Sequence, residues 1–217
     1  MISLVIFDLD GTLIDSRRDL VNSTNAARVH MGLAPLPEDL VASYVGNGAP
    51  MLIRRALGNA ATDELVAQGL AFFLKHYSKH MLDATVMYPG VLEALDQLKA
   101  AGVRMAVLTN KPTLNSVAIV EGLGARQHFF RVYGGDSFPL KKPDPVGIAA
   151  LMAEAKVARE ETMMVGDSHI DIKTARNAGI KACGVTFGLQ PETLADEPPD
   201  LLVDDMRELA RFVLTTG

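Results

Sequence analysis

Short apolar segments alternate with longer helical segments along most of the chain, and this alternation limits the fold more than any other sequence feature. The apolar segments are almost continuously hydrophobic, as strands are when helices cover both faces of their sheet. The pattern therefore predicts an α/β fold with a doubly wound parallel sheet, the Rossmann-like arrangement. Six strands are predicted, at residues 4–8, 103–109, 132–134, 162–166, 182–185 and 201–203.

One long stretch interrupts this alternation. Residues 16–83 contain no convincing strand, but they contain several helical segments separated by residues such as Gly32, Pro35 and Gly58. Glycine and proline of this kind mark the ends of helices and the turns between them. We therefore predict a helical cap of residues 16–83 inserted after the first strand, and an α/β catalytic core formed by residues 1–15 and 84–217.

The composition argues against several classes of protein. Of the 217 residues, 48% are hydrophobic and 22% are charged, which is typical of an ordinary globular domain. The formal net charge of −5 gives no general attraction to nucleic acid or to an anionic membrane. No apolar run reaches the ~20 residues that a membrane span needs, and the single cysteine, Cys183, rules out an intramolecular disulfide. We expect a cytoplasmic monomer or homodimer that binds neither nucleic acid nor membrane.

Polar residues follow several of the predicted strands at the points where the strands end. Asp8 and Asp10 stand two residues apart at the end of the first strand, so their side chains point to the same face. The carboxyl ends of parallel strands lie along one edge of a sheet, where ligands of open α/β folds bind. We expect the following residues to meet there: Asp8, Asp10, Gly11, Thr12, Thr109, Asn110, Lys141, Lys142, Gly166, Asp167, Ser168 and Asp171.

Carboxylates gathered in one crevice repel each other unless a cation compensates their charge. Magnesium prefers hard oxygen ligands together with a substrate phosphate, so Mg²⁺ is the predicted cofactor. Asp8 is then suited to attack phosphorus and form an aspartyl phosphate, while Asp10 protonates the leaving oxygen and later activates water. Lys142 would neutralise phosphoryl charge, and Gly11 would let backbone amides approach the phosphate. The predicted activity is hydrolysis of a small phosphomonoester.

At these positions the chain resembles the haloacid dehalogenase-like superfamily of phosphatases. The four motifs of that superfamily occur in order, as DLDGT from Asp8, TN from Thr109, KP from Lys142 and GDSHID from Gly166. They are spread over essentially the whole chain. An aspartate at the position of Asp10 is similar to the phosphatases of the superfamily rather than to its dehalogenases.

The resemblance implies a role for each motif residue. It implies that Asp8 is the nucleophile and that Asp10 is the general acid and base. The residues implied in phosphate binding are Gly11, Thr12, Thr109, Asn110 and Lys142. The implied ligands of Mg²⁺ are Asp8, the backbone carbonyl of Asp10, Asp167 and, in support, Asp171.

Within the superfamily the chain looks most like the bacterial phosphoglycolate phosphatases. The segments that carry this likeness are GNGAPMLIRRAL from Gly46, LTNKPT from Leu108, and GGD followed by KKP. The likeness implies hydrolysis of 2-phosphoglycolate to glycolate and phosphate through an aspartyl phosphate. It also implies that the cap selects the substrate, with Asn47 in a loop near the site and Arg55 as a bidentate partner of the substrate carboxylate.

Other interpretations stay open at this stage. Asp167 and Asp171 also suit the start of a helix, and Arg55 also suits a solvated helix face. Lys141 fits an exposed charged segment, and the role of Lys111 is undecided. The aromatic residues Phe72, Phe73 and Tyr77 are interpreted as the core of the cap.

Related activities also remain possible. The same fold serves mutases, phosphonatases and phosphatases of sugar phosphates, nucleotides or pyrophosphate. A signalling receiver that stores an aspartyl phosphate is a further alternative, although receivers give no reason for a long helical insert. A phosphosugar sensor without catalysis is another, although it would not need both Asp8 and Asp10.

Overall fold

Eight strands form two sheets in the computed structural model, which describes residues 1–215. The strands are β1 (Leu4–Phe7), β2 (Ile14–Asp15), β3 (Val86–Met87), β4 (Arg104–Leu108), β5 (Arg131–Tyr133), β6 (Thr162–Gly166), β7 (Lys181–Val185) and β8 (Leu201–Val203). Six of them pair in the order β5-β4-β1-β6-β7-β8, and every pairing in this sheet is parallel. The predicted doubly wound parallel sheet is therefore confirmed.

Helices lie on both faces of this sheet and in the stretch between β2 and β3. They are α1 (Arg17–His30), α2 (Glu38–Ala42), α3 (Ala49–Leu57), α4 (Asp63–His80), α5 (Val91–Ala100), α6 (Thr113–Gly122), α7 (Val146–Ala155), α8 (His169–Ala178) and α9 (Met206–Thr215). None of these helices has the length and hydrophobicity that a membrane span requires.

The central strand β1 shows why its sequence is apolar at every position. Val5 and Phe7 pack into the hydrophobic core on one face of the sheet, whereas Leu4 and Ile6 pack into a second core on the other face. All four side chains are completely buried. Alternate residues of a strand point to opposite faces, so a strand between two helical layers needs apolar residues throughout.

The four helices α1–α4 follow one another without any strand between them. Helix α4 packs against both α1 and α3. The chain leaves and re-enters the α/β layers through the antiparallel pair of β2 and β3. The buried Asp19 carboxylate strengthens this junction, because it accepts hydrogen bonds from the amides of Ala84 at 3.0 Å and Thr85 at 2.8 Å.

Two features lay outside the sequence-based expectations. Strands β2 and β3 have two residues each, which is too short to give a periodic signal. Helix α9 closes the chain and packs against α5 through residues such as Leu209 and Val213. The segment that follows β7 contains a short 3₁₀ helix, Pro191–Ala195, which buries Leu194.

Candidate active site

Strand β1 ends in a tight turn that places Asp8 and Asp10 at the carboxyl edge of the sheet. The amide of Asp8 still donates to the Val165 carbonyl of the neighbouring strand at 2.9 Å, so Asp8 is anchored to the sheet. The amide of Leu13 donates to the Leu9 carbonyl at 3.0 Å, which closes the turn beyond it. Asp8 is buried and Asp10 is half-buried.

The amides of Gly11 and Thr12 form hydrogen bonds within the turn, and the expected role of these residues in phosphate binding stays a prediction. The Gly11 amide donates to the Ile14 carbonyl at 2.9 Å, and the Thr12 amide donates to the Leu9 carbonyl at 3.3 Å, so the turn itself uses both donors. A Cβ atom on Gly11 would lie 2.2 Å from Oδ2 of Asp167. Glycine is required here because it leaves room for a carboxylate and because its φ is +82°.

Asp8, Asp167 and Asp171 form a buried acidic cluster at the ends of β1 and β6. Each offers a carboxylate oxygen, and these oxygens lie within 4.8 Å of one another. Burial raises the pKa of Asp167 above its ordinary value, and the charges of Asp171 and Asp8 raise it further. Burial also raises the pKa of Asp8, although the ammonium group of Lys142 opposes that shift. A hard divalent cation fits such a donor set, because it would relieve the repulsion among these carboxylates.

Lys142 is the cation that faces this acidic cluster. Its Nζ lies 2.8 Å from Oδ1 of Asp8 and 2.6 Å from Oδ1 of Asp171. Burial alone would lower the pKa of Lys142, but the carboxylates of Asp171 and Asp8 outweigh burial and raise it. Lys142 therefore stays charged beside Asp8.

The other oxygen of Asp171 is used by its own helix. Oδ2 accepts hydrogen bonds from the Ser168 amide at 3.2 Å and from the Ser168 hydroxyl at 2.7 Å, at the start of α8. A Cβ atom on Gly166 would lie 2.1 Å from the Cβ atom of Asp171, so only glycine fits before this turn. Asp171 thus serves both the helix start and Lys142, and the two interpretations of this residue are compatible.

Asp167 is held by a loop that the sequence had not associated with the site. Its Oδ2 accepts hydrogen bonds from the amides of Leu189 at 2.7 Å and Gln190 at 3.1 Å. A Cβ atom on Gly188 would lie 2.2 Å from the Cβ atom of Asp167. Gly188, which follows strand β7, was the one sign in the sequence that the chain passes close to Asp167 here.

Asp10 turns away from the acidic cluster and pairs with a different lysine. Lys111 Nζ donates to both oxygens of Asp10, at 2.8 and 3.0 Å, and the Ser16 hydroxyl donates to Oδ1 at 2.5 Å. Lys111 also donates to the Tyr77 hydroxyl on helix α4 at 2.6 Å. We call Asp10, Lys111 and Tyr77 the Lys111 bridge, because it joins the sheet edge to the inserted helices.

The TN motif, Thr109 and Asn110, lies between the acidic cluster and the Lys111 bridge. The Thr109 hydroxyl is buried and accepts a hydrogen bond from the Lys111 amide at 3.3 Å. Asn110 uses Nδ2 to donate to the carbonyls of Gly46 at 3.0 Å and Lys142 at 3.1 Å. Both N–H bonds of the Asn110 side-chain amide are therefore occupied in this structure, and its contact with phosphate stays a prediction. Asn110 ties the loop before α3 to the sheet edge.

Asn47 and Arg55 do not reach the acidic cluster. Arg55 is exposed, and it donates to Oδ1 of Asn47 at 2.8 Å and to the Tyr44 carbonyl at 3.3 Å. Lys141 donates to the Asn47 carbonyl at 2.7 Å, so it is not a free surface charge. These residues line an open outer groove together with Met51, and the expected contact of Asn47 and Arg55 with substrate stays a prediction.

A separate cavity joins the acidic cluster to the Lys111 bridge. The sheet edge contributes its polar walls and the inserted helices contribute its apolar walls. The lining residues include Asp8, Asp10, Thr109, Lys111 and Asp167 from the sheet edge and Val45, Ala49, Leu52, Phe73, Leu74 and Tyr77 from the helices. A small anionic molecule would meet carboxylates, a lysine and a tyrosine here, with apolar side chains on the helical side.

Comparisons with known proteins agree with this geometry. Residues 5–185 match the profile of haloacid dehalogenase-like hydrolases. The chain is 40% identical to a phosphoglycolate phosphatase of Vibrio parahaemolyticus, over 100% of this chain and 98% of that protein. It is 39% identical to a phosphoglycolate phosphatase of Pseudomonas savastanoi, over 95% of this chain and 78% of that protein. The fold is similar to the crystal structure of a predicted phosphoglycolate phosphatase from Haemophilus somnus, with a TM-score of 0.91 and 33% identity over 97% of both chains.

Proposed function

The chain belongs to the haloacid dehalogenase-like hydrolase family and is a phosphoric monoester hydrolase, and we propose that its substrate is 2-phosphoglycolate. The products would be glycolate and phosphate. The observation that carries the proposal is the buried Asp8, which faces Lys142 and two further carboxylates in a cavity that also holds Asp10. The 40% and 39% identity to phosphoglycolate phosphatases supports the choice of substrate.

The acidic cluster is suited to hold Mg²⁺. Asp8 and Asp167 would be its ligands together with the backbone carbonyl of Asp10, and Asp171 would support them. Bound Mg²⁺ neutralises charge on a phosphoryl group while it is transferred. The pKa values of Asp8 and Asp167 are raised, first of all by burial. These shifts support the proposal, because they indicate that the positive charge near the carboxylates is too small to compensate them.

Asp8 and Asp10 would share the chemistry in two steps. In the first, an Asp8 oxygen forms a bond to phosphorus while the bond from phosphorus to the ester oxygen breaks, and Asp10 gives a proton to that oxygen. In the second, Asp10 takes a proton from water, and the resulting hydroxide attacks phosphorus and releases Asp8. Lys142, at 2.8 Å from Asp8, would keep the nucleophile ionised and stabilise the phosphoryl charge.

Residues 16–83 would act as a cap over the core of residues 1–15 and 84–217. The apolar residues Leu52 and Phe73 line the cavity from the helical side and would exclude water from the phosphoryl group. Exclusion of water protects the aspartyl phosphate and strengthens charge interactions in the cavity. Opening of α1–α4 would admit substrate and release product.

A panel of small phosphomonoesters tests the proposal through release of inorganic phosphate. We expect activity that needs Mg²⁺, is abolished by EDTA, and is highest with 2-phosphoglycolate. Asp8→Asn should reduce kcat by about 10³-fold or more, because the amide is a far weaker nucleophile. Asp39→Asn is the matched control, since the side chain of Asp39 is 98% exposed.

Three results would contradict the proposal. Activity that EDTA leaves intact would argue against the metal, and full activity in Asp8→Asn would argue against the nucleophile. A faster reaction with sugar phosphates or nucleotides would replace the proposed substrate. The phosphatase mechanism itself would survive that third result.

A further inference from the structure

Lys111 occupies an unusual position in the cavity. Of the described residues that line the cavity, it is the one that carries a positive charge, since Lys142 does not line the cavity and instead contacts Asp8 and Asp171. Its side chain is only 4% exposed. Burying an ammonium group requires compensating partners, and Asp10 and Tyr77 provide them.

We propose that Lys111 and Tyr77 together bind the carboxylate of the substrate and so select a phosphate ester that carries a second anionic group. This inference rests on the proposed function, because it takes 2-phosphoglycolate as the substrate. The first argument is one of distance along the substrate. A single methylene separates the ester oxygen of 2-phosphoglycolate from its carboxylate. Asp10 must reach that ester oxygen, and Lys111 lies 2.8 Å from Asp10.

The second argument concerns hydrogen-bond donors. The Tyr77 hydroxyl accepts a hydrogen bond from Lys111, and a lysine ammonium cannot accept one in return. Among residues 1–215, no hydrogen bond uses the Tyr77 hydroxyl as donor. Tyr77 is 2% exposed, and burial raises its pKa to about 12, so the proton stays on the oxygen. A buried donor of this kind is suited to a carboxylate oxygen.

The third argument is that Lys111 already binds an anion, the carboxylate of Asp10. An ammonium group has three donors, and in this structure two reach the oxygens of Asp10 and one reaches Tyr77. A substrate carboxylate would take over one donor of Lys111 from Asp10. The released oxygen of Asp10 would then be free to face the ester oxygen. A substrate without the carboxylate would leave Asp10 held by Lys111 at both oxygens.

This arrangement also explains how the inserted helices take part in selection. Tyr77 comes from α4 and Lys111 from the segment that follows β4, so both donors meet only when the helices rest on the sheet edge. Arg55, the sequence-based candidate for this task, binds Asn47 in the outer groove. The remaining helical walls of the cavity, including Val45, Leu52 and Leu74, are apolar and offer no other ionic partner.

The experiment compares 2-phosphoglycolate with ethyl phosphate, which has a methyl group in place of the carboxylate. The measured quantity is the ratio of kcat/KM for the two esters with Mg²⁺ present. In Lys111→Met we expect kcat/KM for 2-phosphoglycolate to fall by about 30-fold or more, and the ratio to fall by at least about 10-fold. Tyr77→Phe, which keeps the ring, should lower the same ratio by roughly 3- to 10-fold.

Lys173→Met is the matched control, because Lys173 is exposed on α8, and its ratio should equal that of the wild type. If Lys111→Met lowers kcat/KM equally for both esters, Lys111 only positions Asp10 and the proposal is overturned. If Lys111→Met fails to fold, Tyr77→Phe decides the question through the same ratio. Calorimetric binding of both esters to Asp8→Asn and to Asp8→Asn with Tyr77→Phe provides a second measurement that needs no turnover.

The outcome also separates this inference from the proposed function. A wild-type enzyme that prefers 2-phosphoglycolate, with an unchanged ratio in both variants, would overturn the role of Lys111 and Tyr77 alone. A wild-type enzyme that treats the two esters alike would overturn both the proposed substrate and this inference.

Discussion

Two buried lysines contact the carboxylates at the sheet edge, and their other partners come from different parts of the chain. Lys142 is 2% exposed and contacts Asp8 and Asp171, and all three residues lie at the carboxyl edge of the sheet. Lys111 is 4% exposed and contacts Asp10 from the sheet edge but also Tyr77 from an inserted helix. The carboxylates raise the pKa of both lysines against the effect of burial. In the proposed mechanism the reacting groups thus all belong to the sheet edge, whereas the proposed recognition of the substrate also needs a residue of an inserted helix.

The largest expected effect tests the Lys142 side of this comparison. Lys142→Met would leave Asp8 and Asp171 buried without their cation, which typically costs about 3–5 kcal/mol. Activity should fall equally with 2-phosphoglycolate and ethyl phosphate, unlike the selective loss in Lys111→Met. Urea unfolding in EDTA measures the stability, and phosphate release measures the activity. A selective loss in Lys142→Met would mean that the two lysines do not divide the work in this way.

The next prediction concerns Gly11, which makes room for Asp167. In Gly11→Ala the Cβ atom would lie 2.2 Å from a carboxylate oxygen of Asp167, and the φ of +82° is unfavourable for alanine. We expect a loss of about 3 kcal/mol from strain and crowding together. Gly32→Ala is a control for strain alone, since its φ is +74° and nothing lies within 4 Å of the added atom. Equal losses of stability in the two variants would remove the packing argument.

The surroundings of Lys142 and those of Lys111 also differ in how far the sequence could predict them. The partners of Asp8 all follow parallel strands, and the topology of the sheet brings strand ends together, so the acidic cluster was expected from the spacing of the motifs. Tyr77 has the periodicity of a buried helix residue and was interpreted with Phe73 as cap core. Nothing in the local sequence shows that its hydroxyl reaches Lys111, because that contact depends on how α4 lies on the sheet edge.

Gly11 and Asn110 show a second limit of the sequence. A glycine in a turn can let backbone amides approach a phosphate, or it can make room for a neighbouring side chain. The two kinds of turn look the same in sequence. Only the hydrogen bonds distinguish them, and here the Gly11 amide is used by Ile14. In the same way, Asn110 was assigned to phosphate by its motif, but its amide binds the carbonyls of Gly46 and Lys142. The motif predicted where these residues lie but not which atoms they leave available.

A third prediction uses pH and metal to separate the acidic cluster from the Lys111 bridge. Burial raises the pKa values of Asp8 and Asp167, so the folded protein binds more protons than the unfolded chain. Without metal, stability should therefore be highest below the ordinary carboxyl pKa of ~4 and fall as pH rises through the raised values. This direction of the pH dependence applies to the contribution that Asp8 and Asp167 make to stability.

Mg²⁺ should reverse that trend, because it binds the ionised carboxylates. At a concentration 100 times its Kd it should add about 2.7 kcal/mol to the free energy of unfolding. Thermal melts at about pH 5 and about pH 8, with EDTA or Mg²⁺, measure both effects. Tyr77→Phe should keep the full response to metal, because Tyr77 belongs to the Lys111 bridge. A metal response at about pH 5 equal to that at about pH 8 would contradict the role of carboxylate ionisation.

The smallest expected effect concerns Arg55, for which the likeness to phosphoglycolate phosphatases implies a contact with the substrate carboxylate. Its guanidinium is exposed and binds Asn47 and the Tyr44 carbonyl in the outer groove, so Arg55→Met should change stability by only about 0.5 kcal/mol. The ratio of kcat/KM for 2-phosphoglycolate over ethyl phosphate should stay within about 3-fold of the wild type. A large fall in this ratio would show that Arg55 turns into the cavity when substrate binds, and would move recognition of the carboxylate from Lys111 to the inserted helices alone.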